Sequence, residues 1–142
     1  MAVSVYAAGE VLVEAARQHL EDNESVFTGD LYDSIGVRAV PAPYGSVSVE
    51  VATEDIDYAM AVETGKPPRL EDYERMYAWA QHKQIIPSSG TYGQMINRMI
   101  AVIAKRGSKP HPFMQPAWEE GRGIAADVFY KKMRQQVRSV LR

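Results

Sequence analysis

The chain has 142 residues, of which 46% are hydrophobic and 24% charged, and its formal net charge is −2. Length and composition are those of one globular domain, so residues 1–142 are expected to form a single domain. Cysteine is absent, which excludes disulfides and thiolate metal sites. No apolar run approaches the roughly 20 residues that cross a bilayer, and the N-terminus shows no secretory signal pattern.

Charge is distributed unevenly along the chain. Residues 1–63 contain twelve acidic and two basic side chains, whereas residues 64–142 contain six acidic and fourteen basic ones. This polarity permits head-to-tail association, in which the acidic surface of one molecule meets the basic surface of the next. Two solvated faces of opposite sign are an equally good interpretation of the same counts.

Apolar residues spaced three and four apart predict an amphipathic first helix over residues 3–22. A short helical turn is expected around Leu31, followed by a strand over residues 34–40. Beyond a proline-containing connection, valines that alternate with polar residues predict a half-buried strand around residues 47–51. A third strand is predicted over residues 58–63.

The second half of the chain is predicted to be mainly helical. Helices are expected over residues 70–83 and 94–106, separated by a mobile loop over 85–93, and Gly107 is placed to end the second of them. A last helix is expected over residues 117–141. The order of helix, strands and helices predicts an α+β fold, with a small, mainly antiparallel sheet flanked by helices and a long C-terminal helix.

The segment Lys109–Trp118 contains three prolines, which remove three backbone donors and favour an extended chain. Phe113, Met114 and Trp118 are large apolar residues within this segment, and none of its groups is reactive. The segment is therefore predicted to dock against another surface, with these three residues as candidate interface anchors. The alternative is that the aromatic residues close the core of their own domain.

Patterns typical of catalysis or metal binding are weak. The three histidines are far apart, and none forms a paired metal-binding spacing. Carboxylates at Asp55, Asp57 and Glu63 suit a cation or a hydrolytic pair, but the segment lacks the glycine and the terminal glutamate of a calcium loop. We therefore expect no enzymatic activity, no cofactor and no metal, and interpret Glu63 as a capping or inter-subunit partner. A small hydrolase built on these carboxylates is the competing hypothesis.

The end of the last predicted helix is basic. It carries Lys131, Lys132, Arg134 and Arg138 without an acidic neighbour. These residues are candidate interface residues, and they also suit phosphate groups, so a small nucleic-acid-binding module is the alternative function. Their alternation with an apolar stripe favours packing against a partner first.

Three segments carry a recognisable combination of motifs. Thr28–Ile35 has the pattern TG-x-L-x-x-SI, Tyr58–Gly65 has Y-x-x-x-x-E-x-G, and Lys109–Ala117 has KP-x-PF-x-x-PA. Together, in this order and spacing, they resemble the head–tail joining or tail-completion (neck) proteins of long-tailed bacteriophages. The likeness extends over roughly residues 5 to 140.

The resemblance implies a structural virion protein without enzymatic activity, made in the host bacterial cytoplasm and located at the head–tail junction. Its implied partners are further copies of itself in a hexameric or dodecameric ring, the connector or adaptor, and the tail-terminator or tail-tube proteins. Incidental contact with packaged DNA is expected from the basic end of the last helix, and contact with a membrane is not expected. Rings form when one heterologous contact repeats until it closes, and the charge polarity of the chain suits such a contact.

Overall fold

The computed structural model describes residues 2–26 and 28–141. Within these ranges, six helices and one two-stranded antiparallel sheet form, and the last helix is the longest, so the predicted α+β class is confirmed. None of these helices combines the length and apolar character needed to cross a membrane. The elements are α1 (Ala2–Asp22), α2 (Asp30–Ser34), β1 (Ile35–Val40), β2 (Ser48–Thr53), α3 (Ala59–Thr64), α4 (Tyr73–His82), α5 (Tyr92–Arg106) and α6 (Met114–Val140).

The elements group into two compact units. The first comprises Met1–Ala59 with Pro112–Arg142, and the second comprises Met60–His111. Each unit is described separately below. That the whole chain behaves as a single domain therefore stays a prediction.

In the first unit, α1 packs against the hairpin formed by β1 and β2. Val37 lies opposite Val51 in the antiparallel register, so both side chains lie on the face that meets α1. Gly9 makes this approach possible, because a Cβ atom there would lie 2.8 Å from Cγ1 of Val37. The opposite face is exposed and carries an ion pair, with Arg38 Nη2 3.0 Å from Glu50 Oε2. The two strands predicted over residues 34–40 and around residues 47–51 are confirmed.

The predicted third strand is wrong, because residues 59–64 form α3. Its two alanines, methionine and glutamate are strong helix formers, and they outnumber the two β-branched residues, Val62 and Thr64. Burial does not alternate along the segment as it would in a strand with one buried face, because Ala61, Val62 and Glu63 are all half-buried. Gly65, with φ 77°, then turns the chain out of the helix.

In the second unit, α4 and α5 pack together around Ala80, Ile96 and Ile100. Side-chain caps move both helix starts away from the predicted positions. Asp72 accepts a hydrogen bond from the Arg75 amide (2.8 Å), so α4 begins three residues later than predicted. A capping box at Thr91 starts α5 two residues earlier, and Gly107 ends that helix as predicted. The mobility of the intervening loop stays a prediction.

Two segments cross closely in the second unit. The Ser108 amide donates to the Lys66 carbonyl (3.0 Å), and the His111 amide donates to the Val62 carbonyl (2.8 Å). At Gly65 an added Cβ atom would lie 2.6 Å from the Ser108 carbonyl oxygen, so only glycine fits. This crossing joins the second sequence motif, Tyr58–Gly65, to the beginning of the third.

The predicted extended segment of prolines is wrong beyond Phe113. The helix α6 begins at Met114, three residues before its predicted start, and Pro116 lies in its first turn. The first backbone N–H groups of a helix have no intrahelical acceptor, so the missing N–H of Pro116 removes no helical hydrogen bond. A proline pattern that favours extension at residues 110 and 112 is therefore compatible with a helix that starts at residue 114 and contains Pro116 in its first turn.

Glu71 ties the loop that precedes α4 to two basic side chains. Its Oε1 lies 3.3 Å from Lys66 Nζ and 3.2 Å from Arg69 Nε. Burial alone would raise the pKa of this carboxyl, but the hydrogen bonds and charges of Arg69 and Lys66 outweigh burial and lower the pKa below its usual value of 4.5. The carboxylate therefore contributes stability above its usual pKa, and that contribution is lost as the pH falls through the lowered value.

Replacement of Glu71 with glutamine should reduce the free energy of unfolding at neutral pH by up to about 1 kcal/mol. The difference from the unchanged protein should disappear in acid, below the lowered pKa, because Glu71 is then protonated. Urea unfolding at both pH values measures this. The exposed Glu10→Gln on α1 is the control and should shift neither value by more than about 0.5 kcal/mol. A Glu71 effect that persists in acid would show that the carboxylate charge is not its cause.

Candidate functional site

The helices α1 and α6 pack side by side and run in opposite directions. Near one end, Ser4 Oγ donates to Gln136 Oε1 (3.0 Å), and near the other, His19 Nε2 lies 3.1 Å from Glu120 Oε2. Gly121 lets the helices approach closely, because a Cβ atom there would lie 2.9 Å from Cδ2 of Leu12. The start of α6 is also held, since Asn23 Nδ2 donates to the Pro112 carbonyl (2.9 Å).

An apolar groove of about 580 Å³ opens beside this helix pair, within the first unit. Its floor is formed by α1, with Val5 and Leu12, and one wall is formed by Val49 and Val51 of β2. The other wall is formed by α6. The volume lies in the range of sites that hold ligands or peptide segments. The groove exists because the two-stranded hairpin covers α1 and leaves the neighbouring side of α6 uncovered.

The α6 wall carries the distinctive side chains of the groove. Trp118 is 56% exposed and Tyr130 is 58% exposed, although both line the groove. Arg122 lies one helical turn beyond Trp118 and is the charged residue among those that line the groove. In the described part of the chain, Arg122 makes no ion pair. A concave surface with exposed aromatic residues and one unpaired cation is suited to binding another molecule.

The three apolar candidates of the proline segment take different positions. Phe113 is 1% exposed and belongs to the core. Of the two interpretations left open by the sequence, an interface anchor or a core residue of its own domain, the second therefore holds for Phe113. Met114 and Trp118 are one helical turn apart on α6, and both line the groove. Trp118 thus retains the exposed surface that an interface residue needs, and Phe113 does not.

The remaining candidates lie elsewhere. The four basic residues are all exposed on the last turns of α6, beyond the groove, and three of them share one side of the helix: Lys131, Arg134 and Arg138. Glu63 is half-buried in α3, in the second unit. The structure therefore groups Met114 with Trp118, and the basic residues with each other, but places Glu63 in neither group.

The acidic segment forms no recognisable centre. Asp55 and Asp57 are exposed in the turn between β2 and α3, in the first unit, whereas Glu63 belongs to the second. Among the residues that the structure describes, no group of three or more histidine, aspartate or glutamate side chains could hold a metal ion.

Burial raises the pKa of Tyr92, in the second unit, and its hydroxyl has no hydrogen-bond partner within the described ranges.

Sequence reasoning missed Arg122, Phe129 and Tyr130 as site residues. A usable signal was present, because Trp118, Arg122 and Tyr130 follow one another at multiples of four residues along α6. The sequence cannot show that β2 ends the sheet and leaves this side of α6 uncovered.

Comparison with known proteins adds no further assignment. The chain matches no protein-family model, no curated protein and no solved structure.

Proposed function

We propose that this chain is a structural subunit of a ring at the head–tail junction of a tailed bacteriophage, where it joins the capsid connector to the tail or completes the tail. The observation that carries the proposal is the open apolar groove walled by Trp118, Arg122 and β2. Such surfaces are typical of contacts with another protein, in which exposed aromatic residues supply much of the binding energy. The protein acts by binding, and no chemical step is assigned to it.

Sequence and charge support the same proposal. The resemblance to neck proteins rests on three motifs, and two of them meet at the backbone crossing near Gly65. The exposed basic residues at the end of α6 and the acidic excess of residues 1–63 give the chain two regions of opposite charge. A head-to-tail contact between such regions can repeat around a ring.

The proposal is tested with the purified protein, alone and mixed with two kinds of particle assembled without this protein. These particles are heads that carry the connector, and tails. We expect ring oligomers alone or on these particles, observed by light scattering and electron microscopy. Trp118→Ser should weaken binding to these particles at least tenfold, as removal of a central aromatic residue does. Ile124→Ser is the matched control, because Ile124 is 60% exposed on the same helix and does not line the groove. A chain that stays monomeric and binds neither particle contradicts the proposal.

The alternative function is nucleic-acid binding by Lys131, Lys132, Arg134 and Arg138, which are exposed together. Measuring DNA binding with the same purified protein distinguishes this alternative from ring formation. If the alternative holds, affinity for duplex DNA falls steeply with salt, neutralising these residues abolishes it, and Trp118→Ser leaves it unchanged. The acidic first half of the chain opposes general attraction to DNA, which makes ring formation the better supported function.

A further inference from the structure

The groove lies where a larger sheet would continue. In the first unit, a layer of two helices, α1 and α6, is covered by a layer of only two strands, β1 and β2. Packed helices lie about 8–10 Å apart, whereas neighbouring strands lie about 4.8 Å apart, so two strands cover about one helix. The hairpin β1–β2 covers α1, and the groove lies where further strands would cover α6. A strand added beside β2 would therefore lie in the groove, over the uncovered apolar side of α6.

The backbone of β2 is ready to accept such a strand. The Glu54 amide donates to the Ser34 carbonyl (3.3 Å), and these two residues continue the register of the hairpin. Hydrogen-bonded and non-bonded pairs alternate along an antiparallel ladder, so Val49, Val51 and Thr53 direct their N–H and C=O groups away from β1. On that outer edge, none of the three has a backbone partner among the described residues.

We propose that the groove binds an extended peptide arm of another protein, which pairs with β2 as an added strand. Alternate apolar side chains of the arm pack in the groove, beside Val49 and Val51, and a carboxylate of the arm pairs with Arg122. This mode of recognition combines backbone hydrogen bonds with pockets for every second side chain. The inference rests on the proposed function only for the origin of the arm, which we assign to a neighbouring protein of the neck. The binding itself does not depend on the proposed function.

Geometry and charge favour an arm over a second copy of this chain. In a second copy, one face of the hairpin is already covered by the α1 of that copy. If this hairpin were added beside β2, that α1 would occupy the space where α6 of the first copy lies. The outer edge of β1 is also engaged at its start, because Arg17 Nη2 donates to the Ile35 carbonyl (3.0 Å). Arg122 is the charged residue that lines the groove, so an occupant with an acidic side chain is favoured.

A short capped peptide, in which valine alternates with threonine and one valine is replaced by aspartate, serves as the probe. Hydrogen exchange of single amides is followed by NMR on the full chain with peptide up to about 1 mM. We expect at least tenfold slower exchange at Val49, Val51 and Thr53. Exchange at Glu50 and Ala52 should stay unchanged, because these amides already face β1.

Two matched controls separate strand pairing from nonspecific apolar binding. The same peptide with N-methyl groups on the amides that would face β2 should give no protection. Arg122→Gln should weaken binding of the aspartate peptide about tenfold, as loss of a charge pair does, and should leave an asparagine version of the peptide unaffected. Arg134→Gln, on the same helix outside the groove, should leave both unaffected.

The proposal is overturned if no protection appears at the highest peptide concentration, or if the N-methylated peptide protects equally well. Protection that grows with the concentration of the chain alone would assign the groove to a second copy and would also overturn it. Failure of ring assembly with intact peptide binding refutes the neck function only. Intact ring assembly without peptide binding refutes the arm only.

Discussion

Replacement of Phe113 with alanine should lower the free energy of unfolding by about 3–5 kcal/mol, the usual cost of removing a buried aromatic side chain. Phe113 is 1% exposed and immediately precedes α6, so the change leaves a cavity where that helix begins. Trp118→Ala, five residues later, should cost no more than about 1 kcal/mol, because that side chain is 56% exposed. Denaturant unfolding of both variants measures the difference.

The positions of the two tryptophans make this measurement specific. Trp118 lies in the first unit and Trp79 in the second, so single-tryptophan variants report on each unit separately. Phe113→Ala, made with Trp79→Phe, should shift the transition that Trp118 reports. Phe113→Leu should cost less than Phe113→Ala, since more apolar volume remains. Equal losses for Phe113→Ala and Trp118→Ala would contradict the assignment of Phe113 to the core. Coincident transitions at both tryptophans would support the predicted single domain.

The sequence predicted the elements whose hydrophobic period is long and regular. The helices α1 and α5 show such a pattern over 21 and 15 residues, and β2 alternates valine with polar residues, so their type was predicted correctly. The short helix α3 was not, because its run of four apolar residues, 59–62, is too short to distinguish the period of a strand from that of a helix. There the intrinsic preference of alanine and methionine for helix prevails over the pattern.

The candidate site was predicted only in part, for a reason specific to Phe113, Met114 and Trp118. In an extended segment, neighbouring residues point to opposite sides, so the sequence could not decide which of the three faces outward. The early start of α6 decides it. Met114 and Trp118 lie one turn apart on the groove side of the helix, whereas Phe113 precedes the helix and is buried. The β2 wall depends on packing between distant elements, which no local pattern contains.

Replacement of Gly107 with alanine should lower the free energy of unfolding by about 2–4 kcal/mol. Gly107 has φ 76° and ψ −169°, a backbone conformation that residues with a side chain avoid. An added Cβ atom would also meet the carbonyl oxygen of Lys66. That oxygen cannot withdraw freely, because it accepts the hydrogen bond from the Ser108 amide. Trp79 fluorescence, in a Trp118→Phe background, should show the loss in the second unit.

Gly123→Ala is the matched control, because Gly123 lies inside α6 and an added Cβ atom would meet no atom within 4 Å. Alanine favours helix over glycine by about 0.5–1 kcal/mol, so this change should stabilise the protein. Gly65→Ala should destabilise it, since its Cβ atom would lie 2.6 Å from the Ser108 carbonyl oxygen. If Gly107 and Gly65 tolerate alanine as well as Gly123 does, the close crossing is not what requires glycine there. The glycine of the motif Tyr58–Gly65 would then need a cause outside the isolated chain, such as a contact made in the proposed ring.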